Sequence, residues 1–199
     1  MSDSGNELES PLLGGGTPPP RPGGRFRVPL AITCFCLTTL LSCTAMSLLV
    51  PILPRHLAAA GVPLSAQGAI FSLFPAGVIA GSPFVPSLFA RAGKAPVLLA
   101  GAVAVGTLQG AFGYVDLVVG TSPARLVPAY CAIRLAQGLG EALQSVTMLA
   151  VANEHCRDQL GLAVGLQESA AGVGTVLGPA VGGVLYAEAG FRVPFAVVA

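Results

Sequence analysis

Of 199 residues, 53% are hydrophobic and 10% are charged, against about 25% charged in an ordinary soluble domain. A net charge of +1 and a mean hydropathy of +0.77 exclude a soluble globular domain and a basic nucleic-acid-binding surface, and no basic run is interleaved with aromatics. The composition is that of an all-α integral membrane protein with several spans and the lipid bilayer as its surroundings.

Residues 1–28 are rich in Ser, Gly and Pro and cannot bury enough apolar surface to offset their ordering entropy, so they read as a disordered cytosolic tail. Within the tail, Leu12 and Leu13 follow Glu9 in an acidic dileucine-like patch. That patch is either an endosomal or lysosomal sorting signal or a leucine pair without a role. The first apolar run, 29–53, is long enough for a hydrocarbon core of about 30 Å and too late and too long for a secretory signal. Pro51 and Pro54 are expected to kink or end it. The second run, 67–89, holds Gly77 and Gly81 at GxxxG spacing, and the basic turn Arg91 to Lys94 follows. The third, 96–119, is interrupted by Gln109 and Asp116. The fourth is 127–152, the fifth 160–185, and a sixth begins at 193 and stops at Ala199, which reads as a fragment or a truncated product. Arg21, Arg25, Arg27, Arg91, Lys94 and Arg157 fall on one side and Arg55, Arg125 and Arg192 on the other, so the positive-inside rule places the N-terminus in the cytosol.

The cysteines lie in apolar runs (Cys34, Cys36, Cys43, Cys131) or in a loop on the cytosolic side (Cys156), and they read as packing residues rather than a disulfide or metal framework. His56 and His155 occupy loops on opposite sides. With no nucleophile elbow, zinc motif or phosphate loop, the sequence points away from an enzyme, and it implies no cofactor and no metal.

Three charges fall inside spans: Arg134 and Glu141 in the fourth run and Glu168 in the fifth. Intramembrane charges cost about 2.5 to 3.5 kcal/mol on insertion scales and face bundle interiors or wet cavities. Arg134, Gln137, Glu141, Gln144 and Ser145 follow the spacing of one helical face. Arg134 and Glu141 are two turns apart, about 10 Å along the axis, which disfavours a direct ion pair and leaves room for water or substrate. Glu168 lies about 12 Å from the cytosolic end of its helix, with Glu141 a little deeper. The set is either a proton or cation site or a structural polar clamp between the fourth and fifth spans. In the fifth run, Gly174, Gly178, Pro179, Gly182 and Gly183 form a small-residue motif that lets helix backbones approach closely.

The segment Arg134 to Gly140, RLAQGLG, is similar to the RxxQGxG motif of the major facilitator superfamily, and Gly174 to Gly183 resembles its fifth-helix antiporter motif. The segments 177–195, 50–54, 112–116 and the GLQES around Glu168 resemble the vesicular amine and polyamine transporter branch. The likeness covers about 29–199, the N-terminal six-helix half of a twelve-helix fold, truncated early in helix 6. It implies a proton-coupled antiporter of organic cations, polyamines favoured, in a vesicular or endolysosomal membrane. Protons and a small organic cation are then its ligands, the missing C-terminal half its partner, and the fifth-helix glycines its contact to that half. Arg134 would tune a proton site, Glu141 and Glu168 would bind proton or substrate, and Gln137 and Gln144 would donate hydrogen bonds. The loop after the second run has Ala90 where the family carries Asp, and the first run has no acidic residue for a monoamine. The alternatives are a drug or metabolite exporter of the same superfamily, and a non-transporting half-protein acting as a membrane partner or scaffold.

Overall fold

The computed structural model describes residues 27–191 and Phe195. Among these residues every regular element is helical: α1 (Arg27–Ala59), α2 (Leu64–Gly81), α3 (Val85–Ala92), α4 (Lys94–Phe112), α5 (Val115–Val119), α6 (Pro123–His155) and α7 (Leu160–Ala189). A short 3-10 turn, Ser82–Phe84, joins α2 to α3. The expectations for the dileucine patch and for most of the sixth run fall outside the described residues. Arg27 and Val28, assigned to the tail from composition, belong to α1.

Four stretches are long and apolar enough to cross a membrane: Ile32–Ala59, Leu64–Ala92, Lys94–Phe112 and Leu160–Glu188. The 33-residue α6 has the length, about 50 Å at 1.5 Å per residue, but not the hydropathy. The cause is local, because Arg134, Gln137, Gln144 and Thr147 are buried along it. A helix at the centre of a bundle can carry this polarity because other helices screen it from lipid.

Pro51 and Pro54 do not end the first helix, which continues to Ala59. Each proline removes one N–H, leaving the carbonyls of Ser47 and Val50 without their helical donors. Burial of Ile52, Leu53 and Leu57 carries the helix past them. The third apolar run is not continuous either. It turns at Gly113 and Tyr114 before the five residues of α5.

Packing divides the bundle into two leaves. In one, α6 lies between α2 and α4, and in the other, α1 lies along α7. Both leaves are built on glycine. A Cβ on Gly138 of α6 would lie 2.9 Å from Gly77 Cα of α2, and one on Gly101 of α4 would lie 2.8 Å from the Gly140 carbonyl oxygen. Such approaches admit no side chain, so α2 and α4 touch α6 backbone to backbone. A large apolar cluster joins the leaves at one end of the bundle: Leu48, Leu49, Ile52, Leu53 and Leu57 of α1 meet Ile70, Phe112, Leu126, Tyr130 and Phe195. At the opposite end Val85, Val97 and Ala142 form a smaller core. There Lys94, at the start of α4, pairs with Glu154 near the end of α6 and lies over the Phe89 ring of α3.

Candidate functional site

The polar face of α6 meets α1 and α4 midway along the bundle. Arg134 is 3% exposed and pairs with no carboxylate among the described residues. Its Nη1 donates to Gln137 Oε1 at 3.2 Å and approaches Met46 Sδ at 3.3 Å. Three rings enclose the guanidinium, with its carbon 5.1 Å from the centroid of Phe112, 5.6 Å from Phe71 and 5.8 Å from Phe74. Cation–π attraction to such a box partly replaces the lost hydration. Nε remains buried without a hydrogen-bond partner.

From Arg134 a line of amides crosses two helix boundaries. Gln137 Nε2 donates to Gln109 Oε1 at 2.9 Å, and Gln109 Nε2 donates to the Ala45 carbonyl at 2.7 Å. The chain ties α6 to α4 and α4 to the backbone of α1. Two turns further along α6 from Gln137, Gln144 Nε2 donates to Ser42 Oγ of α1 at 3.3 Å.

Glu141 lies between these two tiers. Its Oε2 is buried and has no hydrogen-bond partner, while its backbone carbonyl accepts from Ser145 Oγ at 2.8 Å. Glu168 is exposed on α7. The structure therefore gathers Arg134, Gln137, Glu141 and Gln144 on one face of α6 and leaves Glu168 exposed on a different helix, α7.

The fifth-run motif splits. Gly174, Gly178 and Gly182 face α1, where added Cβ atoms would lie 2.5 Å from the Leu40 carbonyl, 2.6 Å from the Thr44 carbonyl and 2.8 Å from Leu48 Cγ. Ser47 Oγ bridges the same seam, donating to the Gly174 carbonyl at 3.2 Å. Gly183 faces open space, and Pro179 is half-buried. The seam thus has its partner within this chain, in α1. Helical spacing defines the face a glycine row occupies but not the neighbour it meets.

Sequence reasoning placed the α6 residues but missed Gln109, Ser42, Met46 and the rings of Phe71, Phe74 and Phe112 as parts of the same constellation. Gln109 carried a signal: a lone amide in an otherwise apolar run needs a buried partner. Nothing in its spacing says that the partners are on two other helices. An apolar groove of about 400 Å³ between Ile32, Leu37 and Leu40 of α1 and Leu166 and Val173 of α7 is lined by no charged side chain. Among known families, the model described as Major Facilitator Superfamily matches residues 35–199. No curated protein matches the chain.

Proposed function

Because the chain belongs to the major facilitator superfamily, and is in that general sense a secondary transporter rather than an enzyme, we propose that it exchanges protons for organic cations, with polyamines favoured. The observation that carries this reading is the pair of buried, opposite and mutually unpaired charges on one face of α6. Among the described residues, Glu141 offers a buried carboxylate oxygen with no donor, and Arg134 offers a guanidinium with no carboxylate. A carboxylate in that state gains from a proton or from an ammonium group, and each excludes the other. Mutual exclusion at one oxygen is the elementary requirement of an antiporter.

On this reading α6 is a span in its own right, Arg134 tunes the proton site, Gln137 holds the guanidinium by a hydrogen bond, and Gln144 supplies a donor to waters or cargo. Glu168 holds a second ammonium group of an extended polyamine. The N-terminus lies in the cytosol, the membrane is vesicular or endolysosomal, and a second six-helix half closes the cavity, since facilitator sites lie between two related halves.

The test is uptake of spermidine or spermine into proteoliposomes of the full-length protein under an imposed pH gradient. Gradient-driven uptake that is lost in Glu141→Gln and weakened in Glu168→Gln is expected. Transport of anionic or neutral metabolites alone would assign the chain to exporters of another substrate class. No transport by any preparation would leave a membrane partner or scaffold as its role.

A further inference from the structure

The two ends of the amide chain differ in kind. Arg134 carries only donors, and the Ala45 carbonyl can only accept. An amide has one accepting and one donating end, so two amides in series between such termini have a single consistent arrangement. Gln109 must turn its nitrogen to Ala45 and its oxygen to Gln137. Gln137 must then turn its nitrogen to Gln109 and its oxygen to Arg134. The distances of 2.7, 2.9 and 3.2 Å follow that order, and Gln109 and Gln137 are 1% and 0% exposed, so no solvent competes for either amide.

We propose that Gln109 is a positioning residue for Arg134: its Oε1 fixes the orientation of Gln137, which holds the guanidinium inside the Phe71, Phe74 and Phe112 box. Without that oxygen the Gln137 amide loses the group that orients it. If it reverses, it presents N–H groups to a guanidinium that has only N–H groups of its own. Arg134 then leaves its position relative to Glu141, and proton coupling changes with it. The consequence for transport rests on the reading of Arg134 as the group that tunes the proton site, whereas the positional consequence stands apart from it.

Two substitutions in the full chain separate orientation from simple tethering. Gln109→Leu keeps apolar volume and removes both hydrogen bonds. Gln109→Glu retains an oxygen for Gln137 and gives up the donor to Ala45. The first readout is the pH profile of gradient-driven spermidine uptake, and the second is the Nε–H resonance of Arg134 in protein labelled with nitrogen-15 arginine, identified by its loss in Arg134→Lys. The expected result is a resonance displaced in Gln109→Leu and kept in Gln109→Glu. Uptake in the leucine variant falls about tenfold, the scale of one buried hydrogen-bond partner left unsatisfied, with a displaced pH profile, while the glutamate variant, whose new carboxyl titrates on its own account, is read by the Arg134 resonance. Equal displacement of the resonance in both variants would mean that the bond to Ala45 is a tether between helices, and the proposal would be overturned. An unchanged resonance and profile in Gln109→Leu would overturn it as well. Should the wild type transport no cation, the reading of function fails, and the Arg134 resonance alone decides the role of Gln109. If Gln109→Glu does not fold, the leucine variant and the resonance still decide.

Discussion

Replacing Gly178 by alanine sets a Cβ 2.6 Å from the Thr44 carbonyl oxygen and 2.8 Å from the Leu48 nitrogen, with the Ser47 hydroxyl also in its path. Two of these three obstacles are backbone, so relief requires α7 to retreat from α1. Reaching ordinary contact at 3.4 Å from 2.6 Å means a displacement of about 0.8 Å, and a gap of that order forfeits a quarter to a half of each dispersion contact along the seam. Overpacking of this kind costs about 1–3 kcal/mol. Loss of the Ser47 bond to the Gly174 carbonyl adds about 1 kcal/mol, and the better helix propensity of alanine returns about 0.8–1.0 kcal/mol. The net loss of about 1–3 kcal/mol lowers the unfolding temperature by about 3–10 °C for a chain of this size. Gly183→Ala is the internal control, because nothing lies within 4 Å of its added Cβ, and it should raise the unfolding temperature by about 2–4 °C from propensity alone. Thermal unfolding in nanodiscs reads both. The Gly174→Ala, Gly178→Ala double variant should cost less than the two singles together, because one retreat of α7 relieves both sites. Equal shifts of the same sign for Gly178→Ala and Gly183→Ala would refute the assignment of α1 as the partner of the seam.

Gly138→Ala should destabilise by about 1–3 kcal/mol, because its Cβ would lie 2.9 Å from Gly77 Cα and 3.0 Å from the Val78 nitrogen; the same melts check it, with no loss counting against a backbone contact between α2 and α6. Arg134→Met should lower gradient-driven uptake by about a hundredfold while moving the unfolding temperature by only about 2–4 °C, since removing a buried unpaired cation also removes its desolvation cost; a collapse of the fold would make Arg134 a structural clamp instead. At Glu154, the hydrogen bond and charge of Lys94 hold the carboxyl below its ordinary value of 4.5. A depressed pKa contributes stability that is complete above the unfolded value and lost as pH falls through the folded one. The gap in unfolding temperature between wild type and Glu154→Gln should therefore be constant at neutral pH, close below about pH 4.5 and shrink in high salt; a gap that widens in acid would contradict the pairing.

Much of the architecture is readable from hydropathy because lipid imposes one rule on every span. Four apolar helices stand where the apolar runs fall. The stripe Arg134, Gln137, Glu141, Gln144 is readable because helical periodicity alone puts those residues on one face. What a face meets is not encoded in its own spacing. Gln109 interrupts an apolar run without announcing Gln137 or Ala45, and Gly174, Gly178 and Gly182 do not announce Leu40, Thr44 and Leu48. The continuation of α1 past Pro51 and Pro54 escapes a local rule for a related reason. It depends on burial of Ile52, Leu53 and Leu57 against other helices.

The two leaves described above are joined differently at different depths. Near one end the joint is a dry cluster of aliphatic and aromatic side chains. At mid-depth the bonds from Gln109 to Ala45 and from Gln144 to Ser42, with the approach of Arg134 to Met46, cross from one leaf to the other. Polar bonds of this sort trade one for one with water, so parting them is close to an exchange reaction, whereas parting the dry end exposes apolar contacts with nothing to take their place. The bundle is thereby made like a clothes-peg, with its spring at the aromatic end and its jaws closed by hydrogen bonds.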